Sequence, residues 1–148
     1  MEVDKLKLEN QLCFPFYALS RLIIREYQPE LEKLGITYPQ YLVMMVLWED
    51  DGLTVNDISQ KLILNTNTLT PLLKRLEKQN LIKRERSKTD ERKVHIFLTT
   101  AGVKLKEQAV CVPDALLEKF AHKSSNLNSE QLIGLKTSLN ELIAMLSK

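Results

Sequence analysis

Glycine is scarce in this sequence: the 148 residues contain four, too few for a glycine-rich loop that cradles phosphate. Metal-binding residues are also few. The two histidines, His95 and His122, are isolated, and the two cysteines, Cys13 and Cys111, lie 98 positions apart with no C-x-x-C between them. That spacing excludes the common zinc patterns, so we expect no metal and no cofactor. No Ser/His/Asp or paired-carboxylate constellation stands out, so nothing points to an enzyme. No run approaches the ~18 consecutive apolar residues of a membrane span, and no membrane role is expected. The opening MEVDKLKLENQL is polar and of mixed charge rather than a signal peptide, which leads us to expect a cytoplasmic protein.

What is present is an ordinary globular composition, 44% hydrophobic and 27% charged, and enough chain for one domain with a core. The stretch that organises it is Thr54 to Thr99. Thr54 with Asp57 forms a capping pair, and Val55, Ile58 and Leu62 share a helical face. After the turn-prone Leu64–Asn67, Asn67 is the N-cap expected for a second helix, which makes Pro71 its fourth residue, where no intrahelical N–H is yet needed. Leu69, Leu72, Leu73 and Leu76 form its buried stripe. Thr66, Thr68, Thr70, Lys74, Arg75 and Lys78 are left outside. Hydroxyls at the start of a helix and cations further along suit a reader of the DNA major groove. A β-ribbon follows: Leu81–Arg86 and Lys93–Thr99 flank SKTDER, and Val94, Ile96 and Leu98 alternate with Lys93, His95 and Phe97. Two helices and a ribbon make a winged helix-turn-helix.

Charge supports this reading. Lys74 to Lys93 contains nine Lys/Arg and four Asp/Glu, a balance of +5, whereas the whole chain is +2, so the remainder sums to −3. A basic run alone is also what a solvated face looks like. Here it coincides with the helix-turn-helix pattern, the footprint of nucleic-acid binding.

The flanks read as helices. Phe16, Leu19, Ile23, Tyr27, Leu31 and Leu34 make a stripe ending near Gly35; with Pro15 in its first turn the helix begins at Gln11 to Phe14, with Cys13 in or beside that turn, whereas a helix starting before Leu8 would be kinked at Pro15. Residues 1–9 are expected to fray or pack loosely. Thr37 with Gln40 caps an apolar helix, Tyr38 to Asp50, expected to use Tyr41, Leu42, Met44, Met45, Val46, Leu47 and Trp48 as the core under the DNA-reading unit. After the ribbon, Thr99 or Thr100 caps a helix carrying Val103, Leu105, Ala109 and Val110. It meets Pro113, with a bend or break expected near Cys111–Val112, and resumes over Asp114–His122. KSSNLNSE is a polar connector. Asn128 with Gln131 caps a last helix whose Leu132, Leu135, Leu139, Leu142 and Leu146 form a heptad seam. This could be an ordinary packing face. Burial of both terminal helices in a two-fold dimer is the economical solution. The fold class expected is mostly α with a small β-ribbon (α+β), a single domain over 1–148. Within it, 36–99 form the winged helix-turn-helix, and 1–35 and 100–148 supply dimerisation helices.

The pattern Asp90-x-Arg92, five residues, then Leu98-Thr99-x-x-Gly102 resembles the signature of the MarR family of bacterial transcription regulators. The resemblance implies that Arg92 enters the minor groove, braced by Asp90. Narrow minor grooves attract arginine, and a nearby carboxylate can hold a guanidinium in one pose. The candidate DNA contacts are then Thr66, Asn67, Thr68, Thr70, Lys74, Arg75, Arg86, Lys88, Asp90 and Arg92, facing a pseudo-palindromic double-stranded operator.

Cys13 sits in Leu8-Glu9-Asn10-Gln11-Leu12-Cys13-Phe14, which closely resembles the OhrR-type repressors of that family. The likeness continues through Leu34–Tyr41, Leu47–Glu49, Leu69–Arg75 and the ribbon, and weakens after about Lys106; Pro15 departs from the group's pattern. The resemblance implies that organic hydroperoxide oxidises Cys13, and that Tyr27 and Tyr38 of a partner subunit hydrogen-bond it. Helix geometry agrees: Cys13 and Tyr27 are fourteen residues apart, about 21 Å along a straight helix, and cannot touch within one chain. A first-turn thiol faces the positive end of the helix dipole, which favours the reactive thiolate. By residue type alone, a lone cysteine beside Phe14 and Phe16 is more readily a small buried hydrophobe; the family resemblance reverses that preference. Cys111 is a possible resolving thiol, but the reading favoured is a packing residue before the Pro113 bend, with oxidised Cys13 capped by a low-molecular-weight thiol. The function expected is a homodimeric repressor that leaves its operator when Cys13 is oxidised. The alternatives are a repressor released by a small phenolic ligand and, less favoured, a thiol peroxidase.

Two identical basic units on a shared apolar base should bind half-sites about one helical turn, ~34–36 Å, apart. Arg92→Ala should cost a few kcal/mol per dimer, and Lys88→Ala should weaken all sequences alike and flatten the salt dependence. Gel-shift titration at several salt concentrations checks both; full affinity in Arg92→Ala contradicts the minor-groove role.

Overall fold

The structure, a computed structural model, describes residues 3–123 and 128–147. Two 3-10 turns, Val3–Leu6 and Leu8–Asn10, occupy the stretch expected to pack loosely. They are tied by the Asn10 and Gln11 side-chain amides, which donate to the carbonyls of Asp4, Lys5 and Lys7, while residues 4–10 stay exposed.

Helix α1, Cys13–Leu34, starts where Pro15 permits, because proline's missing N–H falls in a first turn that needs none. It stops at Gly35, in the left-handed region at φ 69°, which glycine enters without steric cost. Helix α2, Tyr38–Glu49, opens on the expected Thr37–Gln40 capping box. It is apolar almost all round and passes under everything else: α1, then α3 (Val55–Leu62), α4 (Thr66–Lys78), strand β2 (Val94–Leu98) and α5 (Thr100–Ala109) all pack on it. Val43, Met44 and Leu47 are its fully buried residues. Met45, expected in the core, instead points outward at 37% exposure, because it falls on the one side of α2 left without a neighbour.

The expected Asn67 cap is corrected to Asn65, whose Oδ1 accepts the Thr68 N–H at 2.9 Å. Helix α4 therefore begins two residues earlier, and Pro71 is its sixth residue, not its fourth. Proline at that depth deprives the Asn67 carbonyl of its helical N–H. The stripe is as expected: Leu69, Leu72, Leu73 and Leu76 are all buried.

Strands β1 (Ile82–Arg86) and β2 pair antiparallel, Ile82 opposite Leu98 and Arg86 opposite Val94. The Gly52 N–H donates to the Ile96 carbonyl and the Ile96 N–H to the Leu53 carbonyl, so the base of the ribbon is sewn to the segment before α3. The outer face of β2 is covered as well: Phe97 lies 2.9 Å from where a Cβ on Gly52 would stand.

Helix α5 is capped by Thr99, whose hydroxyl accepts the Gly102 N–H at 3.0 Å. Leu105 and Ala109 are buried, whereas Val103 and Val110 are 54% and 72% exposed. The buried face of α5 is Gly102–Leu105–Ala109, one position round from the pair expected to pack. Gly102 explains its own place in the sequence motif: a Cβ there would stand 2.1 Å from the Leu81 carbonyl oxygen, and its own carbonyl accepts the Trp48 indole N–H at 2.9 Å. Helix α6, Val112–Lys123, packs on α1. Pro29, inside α1, removes the N–H owed to the Arg25 carbonyl. One residue on, Lys119 Nζ donates to the Glu26 carbonyl at 3.0 Å and Lys123 Nζ to Glu26 Oε1 at 2.8 Å, holding that stretch against α6. Residues 124–127 of the expected polar connector lie outside the described residues. Helix α7, Ser129–Leu146, opens on the Asn128–Gln131 capping box and has no buried residue.

Gly102→Ala should be among the most damaging single-methyl substitutions in the chain. The obstacle is backbone, which cannot swing away, so the loss should reach at least the ~1–3 kcal/mol of an overpacked core. Urea unfolding of the variant beside wild type measures it; an unchanged midpoint contradicts the close approach.

Candidate functional site

Between α3, α4 and the ribbon lies a groove of about 480 Å³, bordered by Thr54, Asn56, Thr66, Thr70, Arg84 and Arg92. Helix α4 brings its first turn to this groove with Thr66, Asn67 and Thr68 exposed. Thr70 is partly covered, and its hydroxyl donates to the Thr66 carbonyl at 2.7 Å, which leaves it an acceptor only. Lys74 and Arg75 follow on the exposed face. Arg86 ends β1, and Lys88 and Arg92 project from the ribbon tip. The tip is a compact turn: Ser87 N–H donates to the Lys93 carbonyl and Lys93 N–H to the Asp90 carbonyl, each at 2.9 Å. Asp90 does not grip the Arg92 guanidinium as expected. Its Oδ1 accepts the Arg92 backbone N–H at 3.1 Å, because two residues in a tight turn bring the carboxylate to the main chain before the long side chain can fold back. Asp90 therefore shapes the tip and leaves the guanidinium free to reach outward.

Two of the nine cations in the basic stretch are neutralised locally. Lys83 meets Glu85 at 3.0 Å, and Arg84 meets Glu77 at 2.7 Å. Among the described residues no ion pair engages Lys74, Arg75, Lys78, Arg86, Lys88, Arg92 or Lys93. The Glu77–Arg84 pair is a strut from α4 to β1. Glu77 takes the Arg84 Nε–H at 2.8 Å and the Arg84 backbone N–H at 3.2 Å. The Arg84 side-chain hydrogen bond holds the Glu77 carboxyl below the usual glutamate range, against a smaller opposing effect of burial. This strut went unread in the sequence, where a Glu–Arg separation of seven across a helix–strand junction has no recognisable spacing.

A second cluster lies at the opposite side of α2. The rings of Tyr27 and Tyr38 are 4.8 Å apart, and Tyr41 lies 6.1 and 6.3 Å from them. Burial raises the pKa of all three hydroxyls. Neither Tyr27 nor Tyr38 has a hydroxyl that is both sealed from solvent and unpartnered. Beside Tyr38 opens an apolar cleft of about 260 Å³, lined by Ile24, Leu31, Ile36 and Pro39 among others. Cys13 is the first residue of α1 and is exposed, as are Leu12, Phe14, Phe16 and Tyr17 around it. Tyr27 lies fourteen residues further along the same helix, so the structure brings the two tyrosines together but not the thiol. Cys111 corrects its expected role. It is exposed in the turn between α5 and α6, donating to the Gln108 carbonyl at 3.3 Å, because Ala109 and Val112 fill the buried positions on either side. Along α7, Leu132, Leu135, Leu142 and Leu146 are all exposed.

Comparison with known proteins gives a consistent result. Residues 25–109 match the family model described as transcriptional regulator SarA/Rot. The organic hydroperoxide resistance transcriptional regulator of Bacillus subtilis is 49% identical over 97% of this chain and 94% of its own. Reduced AbfR of Staphylococcus epidermidis, bound to DNA, superposes with a TM-score of 0.76 at 38% identity, covering all of both chains. AbfR in its disulfide form superposes less well, at 0.59 with 38% identity over 99% of this chain and 94% of that one.

The lowered Glu77 carboxyl fixes a pH dependence. A depressed pKa stabilises the fold above the unfolded value, and the contribution is lost as pH falls from there through the folded value. The acid limb of stability should therefore flatten in Glu77→Gln, as read from thermal unfolding between pH 6 and the acid transition. An acid limb identical to wild type contradicts the strut.

Proposed function

The chain belongs to the SarA/Rot and MarR-type winged-helix transcription regulators, and from that premise we propose that it is a homodimeric, DNA-binding repressor that senses organic hydroperoxide through Cys13. The observation that carries the proposal is the separation of two halves of one site on a single helix. An exposed thiol begins α1, and the tilted pair of Tyr27 and Tyr38 rings, with its cleft, lies toward the other end. They meet only if a second copy runs antiparallel and lays its first turn beside Tyr27 and Tyr38. The same arrangement covers the bare apolar flank of α1 and the α7 leucines. Exposed Thr66, Asn67, Thr68, Lys74 and Arg75 then read a pseudo-palindromic duplex from α4, while Arg86, Lys88 and Arg92 hold its backbone and minor groove from the ribbon.

In the chemistry proposed, the Cys13 thiolate attacks the terminal peroxide oxygen. The O–O bond breaks, the alkoxide leaves and takes up a proton, and Cys13 becomes a sulfenic acid. A low-molecular-weight thiol then condenses with it, releasing water and leaving a mixed disulfide too large for a packed interface. A second route is favoured by the exposure of Cys111: its thiol can condense with the partner's sulfenic acid, again with loss of water. The lower likeness to AbfR in its disulfide form than to AbfR bound to DNA supports a DNA-competent arrangement in this structure.

Gel shift with organic hydroperoxide tests the proposal. Wild type should leave DNA, Cys13→Ser should stay, and Tyr27→Phe and Tyr38→Phe should bind DNA normally but oxidise more slowly. Release from Cys13→Ser by a phenolic compound identifies a ligand-responsive repressor instead. Loss of release in Cys111→Ser selects the two-thiol route over the mixed disulfide.

A further inference from the structure

Gln40 is the one buried polar residue among those described, at 4% exposure, and its bonds join two elements far apart in sequence. Its Oε1 accepts the Thr37 N–H at 2.9 Å, and its Nε2 donates to Gln79 Oε1 at 3.1 Å. Gln79 Nε2 donates in turn to the Gly35 carbonyl at 2.7 Å. The chain begins on a fixed donor, a backbone N–H, and ends on a fixed acceptor, a backbone carbonyl, so both amides can point only one way. Its two ends, Gly35 and Thr37, bracket the turn that delivers Tyr38. Its far point, Gln79, is the C-cap of α4, and the adjacent Asn80 carbonyl accepts the Thr99 hydroxyl that caps α5.

We propose that the Gln40–Gln79 amide pair is the positioning link through which displacement of Tyr38 moves the DNA-reading helix α4. The proposal rests on the Cys13 sensing reading above. Apolar packing joins α2 to α4 as well, but it is non-directional. A closed ring of hydrogen bonds with only one allowed polarity does not slide. If the Gly35–Thr37 turn shifts, the ring must either break, leaving a buried amide unpaired, or pull the end of α4 with it. The second course is cheaper, and it rotates the face that carries Thr66, Thr68 and Lys74. Gln79 is exposed and contacts neither the thiol nor the groove, so its effect is on transmission rather than on either site.

The test uses the full-length homodimer and a duplex selected from random sequence for binding to the reduced wild type. Kd is measured for reduced protein and for protein carrying a cysteine mixed disulfide at Cys13, with Tm recorded alongside. Wild type should lose on the order of 100-fold in affinity on modification, within the usual range of coupling between sites. Gln79→Met, which keeps the side chain's length but neither hydrogen bond, should bind reduced-state DNA within about threefold of wild type and form the adduct at the wild-type rate. Its loss on modification should shrink by about tenfold, to a tenth of the wild-type effect. Gln79→Ala, a good helix former at an exposed cap, is the second variant should Gln79→Met fold poorly. A changed Tm with an undiminished loss in both variants assigns the pair a structural role only and overturns the link. If wild type itself keeps its DNA after modification, the sensing reading fails, and the link has no signal to carry.

Discussion

The packing of one apolar helix against five neighbours sets the geometry of the whole chain. Helix α2 has Val43, Met44 and Leu47 completely enclosed, and α1, α3, α4, α5 and β2 all take their places from its surface. None of those elements has a core of its own: α3 and α4 are amphipathic, and the ribbon has two strands, which are marginal by themselves. The outward geometry of the hydroxyls, cations and ribbon tip is thus an indirect property of α2. Anything that tilts α2 re-aims all of them together, and Tyr38 is its first residue.

Much of this was legible in the sequence wherever the cause is local. Thr37–Gln40, Thr54–Asp57 and Asn128–Gln131 are capping pairs three residues apart, and each starts a helix where expected. The leucine stripe of α4 and the alternation in β2 were equally readable. Failures came where two residues of the same type compete or where the partner is distant. Asn65 and Asn67 both suit a cap, and the choice was made by how α3 ends, at a left-handed residue that sequence does not announce. Glu77–Arg84 and Gln40–Gln79 join different elements, and no periodicity encodes such pairs. Gly102 was visible as part of a motif, but its reason, a carbonyl 2.1 Å away from any added carbon, was visible only in three dimensions.

The candidate thiol site divides the same way. The position of Cys13 in a first turn followed from Pro15, a local constraint. The company of Tyr27 and Tyr38 required α1 and α2 to be folded together. The exposure of Cys111 ran against the ordinary preference of cysteine for the interior, and its cause was competition: Ala109 and Val112 already fill the inward positions of that turn.

The connection between α3 and α4 contains a residue in an unusual state. Ile63 is β-branched, 61% exposed and left-handed at φ 54°, a conformation that costs a branched residue roughly 1–2 kcal/mol. Such a residue persists only where its surroundings over-determine it. Here the Ile63 N–H is held by the Gln60 carbonyl and the Leu64 N–H by that of Ser59, while the Ser59 hydroxyl donates back to the Leu64 carbonyl. The elbow is thus held by its hydrogen bonds against the preference of its own residue. The angle between α3 and α4 is set at its apex by the main chain, as a shelf bracket is by its corner.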